Sequence, residues 1–370
     1  MAWFVKWANK KLGDLLSALD RVYLEQLQPL LLPIVEHHLV PDSVLRLFIR
    51  REVGFGVRRV RNLTEEDASK ETMDFIAEVK TMPIAVQQQK ANDQHYEVPD
   101  DFYQLVLGPH LKYSSGYWPR PKMTLEESEV AMLELYCERA ELADGLHIID
   151  LGCGWGSVTL YVAAKYPKSR VTSISNSNSQ REFIMSMAKK RGLSNITVYT
   201  GDITSFDLPS ELHGQADRII SIEMWEHMKN YQKLMEKISH WLRPEGKLFV
   251  HIFTGRDVPE HFAKGWMSDN FFSGGTMPSD HLLLYFQDHF SIKGQWCING
   301  VHYQKTLEAW LVEMDRKKSL VMPILKRTYG EKNAVKWFVN WRLFFIGCAE
   351  FFGYDGGSAY RVSHYLFSKR

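Results

Sequence analysis

Apolar positions along this chain follow two rhythms. Up to about residue 80 they recur every three to four positions. Leu12, Leu15, Leu16, Leu19, Val22, Tyr23 and Leu27 form one stripe, which predicts an amphipathic helix that Pro29 and Pro33 then interrupt. A second helix is expected from Asp42 as its cap, with Val44, Leu45, Phe48, Ile49 and Val53 on one face. A third is expected over about Glu65 to Val79, behind Thr64. From residue 148 onward the rhythm changes to short apolar runs broken by glycine and polar clusters. Ile148 to Leu151, Arg170 to Ile174, Ile196 to Tyr199, Arg218 to Ile222 and Lys247 to Phe253 read as five strands, and Ser157 to Lys165 as a helix. Strands alternating with helical segments predict a parallel sheet, whose ligands sit beyond the carboxyl ends of the strands.

Chemistry-bearing residues gather at those ends. The first strand runs into Asp150-Leu151-Gly152-Cys153-Gly154-Trp155-Gly156, where glycines let the backbone approach a ligand and the acid can accept hydroxyl or ammonium hydrogen bonds. The spacing is G-x-G-x-G and differs from the G-x-G-x-x-G of dinucleotide enzymes. It resembles the donor loop of S-adenosylmethionine-dependent methyltransferases. After the second strand no acid appears; Asn176 and Gln180 stand there, and an amide offers donor and acceptor to a ribose diol. Gly201-Asp202-Ile203 closes the third strand, where the carboxylate can accept from an adenine amino group. Glu223-Met224-Trp225-Glu226-His227 closes the fourth.

Composition narrows the partners. The 370 residues, 45% of them hydrophobic, suffice for a full core and one catalytic domain with additions. A net charge of +1 leaves no electrostatic footprint for nucleic acid, so DNA or RNA substrates are disfavoured. Cys137, Cys153, Cys297 and Cys348 lie far apart without C-x-x-C spacing, which predicts neither a metal site nor a disulfide framework and fits a cytoplasmic protein. Trp3, Phe4 and Trp7 ahead of Lys10 and Lys11 allow surface contact with a membrane. No apolar run approaches the roughly 20 residues needed for stable insertion. The N-terminal stripes either cover an active site or simply pack on the catalytic domain or on a second subunit, which leaves room for a homodimer.

The stretch Asn92 to Trp118 (NDQHYEVPDDFYQLVLGPHLKYSSGYW), with DLGCGWG, SNSNSQ, GDIT and IEMWEHMKNY, resembles the cyclopropane-fatty-acid-synthase-like methyltransferases. Within them it is similar to the plant coclaurine and pavine N-methyltransferases, from about Leu39 to the C-terminus. The resemblance implies an α/β, Rossmann-like class I methyltransferase fold with an N-terminal helical extension over residues 1–90. The methyltransferase domain would span 91–370, with a helical, substrate-covering insertion at about 255–345. It implies S-adenosylmethionine as cofactor and a small-molecule amine as acceptor. By the same resemblance Lys112, Tyr113 and Ser114 contact the methionine side of the donor. Asp150, Gly152 and Gly154 form its loop, Asn176 and Gln180 meet the ribose, and Asp202 with Ile203 the adenine. Tyr96, Glu97, Tyr117 and Trp118 would surround the amine, with Glu223, Glu226 and His227 as the catalytic group. Structural alternatives stand beside these roles: Glu97 as a helix cap or solvated acid, His227 as a buried histidine bonded to a carbonyl, the aromatic residues as core.

An aliphatic amine titrates near 10.4, so at neutral pH its lone pair carries a proton. Carboxylates that attract the ammonium, and a histidine that takes the proton, suit that acceptor. Cyclopropane synthases place a bicarbonate-holding cysteine where this chain has Ser115, and a tyrosine where it has Trp341 ahead of Arg342. Both departures lean toward amine methylation. Carbon methylation of unsaturated lipid is the alternative chemistry, and a catalytically silent donor-binding protein the alternative class.

Overall fold

The computed structural model describes residues 28–37, 39–86 and 98–370. Its centre is a sheet in which β1 (His147–Leu151), β2 (Arg170–Ser175), β3 (Ile196–Thr200), β4 (Ala216–Ile222) and β5 (Leu242–Gly255) are parallel. These are the five strands that the apolar runs predict. The small strands β6 (Glu260–His261) and β7 (Thr276–Met277) pair with each other. β8 (Phe290–Asn299) and β9 (Tyr360–Lys369) extend the main sheet to the order β3-β2-β1-β4-β5-β9-β8. β9 runs antiparallel to both of its neighbours.

Alternate residues of the central strands serve opposite faces, as the twofold side-chain period requires. Ile148, Ile220 and Phe249 pack with the helices of one core, Ile149, Ile219 and Leu248 with those of the other. The strand order turns back between β1 and β4. In an open sheet that crevice, outside the strands' carboxyl ends, is where ligands bind.

The helices are α1 (Gln28–Glu36), α2 (Asp42–Arg61), α3 (Glu65–Thr81), α4 (Asp100–Val106), α5 (Leu125–Arg139) and α6 (Ser157–Lys165), then α7 (Asn178–Lys190), α8 (Tyr231–Ser239), α9 (Trp266–Asn270), α10 (Val301–Arg316), α11 (Lys318–Tyr329) and α12 (Ala334–Gly353). Thr64 caps α3 by accepting from the Asp67 N–H, worth about 1 kcal/mol.

Two expectations are corrected near the N-terminus. Pro41 holds the cap position of α2, because the Asp42 carboxylate is engaged by Arg342 Nη1 and Nη2 at 3.0 and 2.8 Å. Pro33 does not interrupt α1. The helix continues through it at the cost of one donor, and the His37 N–H closes the last turn on the Pro33 carbonyl at 3.2 Å. The stripe from Leu12 to Leu27, with Trp3, Phe4 and Trp7, lies outside the described residues.

α2 is tied down by charge. Arg342 on α12 bridges Asp42 and Asp315, with 2.7 Å from Nε to Asp315, and Arg46 donates to Glu308 and Glu350. Among the described residues no helix is long and apolar enough to cross a membrane.

Candidate active site

The carboxyl ends of β1 to β5 open into a cavity of about 950 Å³. Lys112, Tyr113, Ser114, Asp150, Gly152, Gly154, Asn176, Gln180, Ile203, Glu223, Glu226 and His227 all line it. The far wall is apolar and comes from α2 (Val44, Phe48, Ile49) and α12 (Phe344, Phe351, Phe352). Thus the aromatic run of α12 both packs in the core and faces the cavity.

The loop after β1 has the backbone that glycine permits. Gly152, Gly154 and Gly156 adopt φ of 82°, 51° and 80°. A Cβ on Gly152 would meet Met224 at 3.0 Å, and one on Gly156 would meet Ile184 at 2.6 Å. Asp150 is buried and accepts from Thr159 Oγ1 at 2.6 Å; burial nevertheless raises its carboxyl to about 6. Gln180 is held by Ser175 Oγ, which donates to its Oε1 at 2.6 Å. Ser157 Oγ, at the first turn of α6, is buried with no hydrogen-bond partner among the described residues.

Glu223 follows β4 at φ 47°, a left-handed conformation that costs a non-glycine residue roughly 1 to 2 kcal/mol. The turn aims its carboxylate at three donors. Oε1 accepts from Ser115 N at 3.1 Å and from His251 Nε2 at 2.9 Å, and Oε2 from Tyr303 OH at 2.6 Å. Burial pushes its pKa up, while Lys112 and the hydrogen bonds from Tyr303 and Ser115 pull it back. Glu226 lies three residues on, 1% exposed, with Oε2 unpartnered among the described residues. Burial and the neighbouring Glu223 charge hold its carboxyl well above the usual carboxylate range. His227 stacks on Phe272, with ring centroids 4.5 Å apart. Lys112 is fully buried, donates to Ser114 Oγ and the Ser115 carbonyl, and is lowered by burial to about 7.

About three quarters of the chain, residues 85–358, match the mycolic acid cyclopropane synthetase family. The chain belongs to that family. Relatives are similar over nearly their whole length. (S)-coclaurine N-methyltransferase of Thalictrum flavum subsp. glaucum is 39% identical over 92% of this chain and 95% of its own. Pavine N-methyltransferase of the same plant is 36% identical over 91% and 95%. A crystal structure of coclaurine N-methyltransferase bound to N-methylheliamine and SAH has a TM-score of 0.87 at 36% identity, covering 91% of this chain and 98% of that one. This family member is accordingly an S-adenosylmethionine-dependent methyltransferase. Its glycine cradle, the Asp150 carboxylate and the unpartnered Ser157 hydroxyl fit that donor.

Some singled-out residues stand elsewhere. Tyr117 and Trp118 do not line the cavity, because the segment turns away after Ser115. Trp118 is tied to α10, its N–H donating to His302 Nδ1 at 2.9 Å and its indole N–H to Thr306 Oγ1 at 3.0 Å; Tyr117 packs against the His302 ring. Asp202 sits beside the lining residues Gly201 and Ile203, its Oδ1 accepting from Thr204. Tyr96 and Glu97 lie outside the described residues. Trp341 is fully buried among Phe102, Phe271 and Phe344 and is not a lining residue. It therefore does not bear on the acceptor, and a tyrosine hydroxyl, that of Tyr303, reaches Glu223 from another element. Ser157, Tyr303 and His251 belong to the site although no motif announces them. Of these His251 carried a signal, as a polar residue inside the apolar run of β5.

Proposed function

We propose that this enzyme transfers the methyl group of S-adenosylmethionine to the nitrogen of a small, partly aromatic amine of the alkaloid type. The observation that carries the reading is the pair of carboxylates, Glu223 with its side chain 8% exposed and the buried Glu226 with one oxygen unpartnered among the described residues, in a cavity whose α2 and α12 wall is aromatic and aliphatic. Two such acids cannot both ionise at low cost, because each desolvated charge opposes the other. A cationic amine between them relieves that cost. The N-methyltransferase names of the matched relatives support the same acceptor class.

When bound, the donor supplies an electrophilic methyl on a sulfonium. Gly152, Gly154, Ser157, Asn176 and Gln180, with Asp150, Asp202, Ile203, Lys112, Tyr113 and Ser114 around them, hold and orient it. Glu223 and Glu226 attract the ammonium and fix its nitrogen. His227 takes the proton, freeing the lone pair. Phe272 and the α12 aromatics exclude water and receive the apolar body of the acceptor, the role first expected of Tyr117 and Trp118. In-line transfer gains most from such alignment. α1 and α2 act as the cover of this site, while α3 packs its Phe75, Ile76 and Val79 into the core.

A panel of primary, secondary and tertiary amines bearing aromatic rings, run beside unsaturated phospholipid vesicles with labelled donor and mass detection, tests the reading. Methylated amine and unmodified lipid are expected. Carbon-methylated lipid with every amine inert would replace it with lipid chemistry.

A further inference from the structure

A line of hydrogen bonds leads from Glu223 along one face of the sheet, from β5 across β9 to the end of α5. His251 Nε2 meets Glu223 Oε1 at 2.9 Å, His251 Nδ1 meets His364 Nε2 at 2.9 Å, and His364 Nδ1 meets Arg139 Nη1 at 2.8 Å. Both imidazoles have no exposed surface. They are directly opposed residues of β5 and β9. Arg139 ends α5 and rests on the Trp296 ring at 5.0 Å.

Proton bookkeeping along this line has one solution for neutral rings. A guanidinium only donates, so His364 Nδ1 accepts and its proton sits on Nε2. That proton points at His251 Nδ1, which must also accept. The His251 proton is then on Nε2, directed at the carboxylate. Burial, with the Lys112 and Arg139 charges, disfavours a second proton on either ring.

We infer that Arg139 and His364 are positioning residues that fix the tautomer of His251, so that its N–H, with the Ser115 N–H and the Tyr303 O–H, keeps Glu223 as the anion that receives the acceptor. This rests on the amine reading above. Glu223 is also faced by Lys112, Tyr136 and Cys348, and by Glu226 from its own loop; Tyr136 OH reaches His251 Nδ1 at 2.9 Å as well. Lys112 favours the anion and Glu226 opposes it, so the donors decide the balance. No chemical step passes through His251 or His364; without the Arg139 and His364 contacts, the Tyr136 hydroxyl can turn to accept from His251 Nδ1, and His251 then presents a lone pair to Glu223.

Nitrogen-15 imidazole spectra of the intact protein, with an infrared pH titration of the Glu223 carboxyl identified by Glu223→Gln, read the arrangement without turnover. His364→Leu removes the relay at similar volume; His364→Gln keeps a donor and an acceptor. Parent spectra should place both ring protons on Nε2. In His364→Leu the Glu223 titration and the acid limb of kcat/KM for the amine should move to higher pH. The loss should be about 10- to 100-fold at neutral pH and shrink as pH rises, with donor affinity kept. His364→Gln should stay near the parent. A proton on His251 Nδ1 in the parent, or a folded His364→Leu with unshifted titration, overturns the inference; if His364→Leu does not fold, the parent spectra and His364→Gln decide. Should no amine react at all, the amine reading fails, while spectra and titration still judge the relay.

Discussion

Gly154 and Gly156 stand two residues apart in one turn and should fail differently when a methyl is added. A Cβ on Gly154 meets nothing within 4 Å, so Gly154→Ala costs roughly the 1 to 2 kcal/mol of left-handed strain and intrudes on the donor's side of the turn. Calorimetry should show donor affinity reduced about tenfold or more with a modest fall in Tm. Gly156→Ala drives Ile184 aside and should lower Tm further; equal losses in both assays for the two variants would contradict this division. Glu226→Gln removes a buried acid whose Oε2 has no partner among the described residues, so Tm should hold or rise while KM for the amine rises. A lower Tm with unchanged KM would make Glu226 structural. His227→Ala should reduce kcat by roughly 10²- to 10⁴-fold at neutral pH, the usual range for a general base. The deficit should narrow toward the amine's own titration range, where free amine arrives deprotonated. A rate within a few-fold of the parent would leave His227 as a wall residue stacked on Phe272.

At the scale of elements, α2 supplies one wall of the cavity and is held by Arg342 and Arg46. Arg342→Met should release its first turn. Because Asp42 and Asp315 are partly exposed, the stability loss should be about 1 to 3 kcal/mol, accompanied by a higher KM for the amine. An unchanged KM at lower Tm would separate the clamp from the site. The same elements show what a linear pattern carries. β1 to β5 were legible because buried parallel strands read as short, mainly apolar runs ending in glycine and polar residues. β8 and β9 were not. β8 is half exposed and bulged between Ile292 and Gly294, and β9 buries Ser363 and His364 among its apolar residues. His364 gains its meaning only from the register that sets it against His251, which no local signal announces. Asp42 misled because its carboxylate answers a distant arginine in preference to its own backbone.

For the whole molecule, pH links stability to the window in which chemistry can be read. Burial and the nearby Arg170 hold His147 down to about 4, whereas the unfolded chain takes up that proton near 6.5. Its contribution is present above pH 6.5 and is lost as pH falls toward 4. In His147→Gln the fall of Tm across that interval should be shallower than in the parent; parallel curves would contradict the assignment. The central claim, that paired carboxylates in a donor-lined cavity receive a cationic amine and methylate its nitrogen, has a direct test. Donor carrying a carbon-13 methyl is incubated with an aromatic-bearing secondary amine and with its neutral carbon isostere, and the labelled product is located by NMR. The account predicts label on nitrogen, none on the isostere, and product formation strongly reduced in a Glu223→Gln, Glu226→Gln double variant that still binds donor. Label on carbon, or full turnover in the double variant, would contradict it.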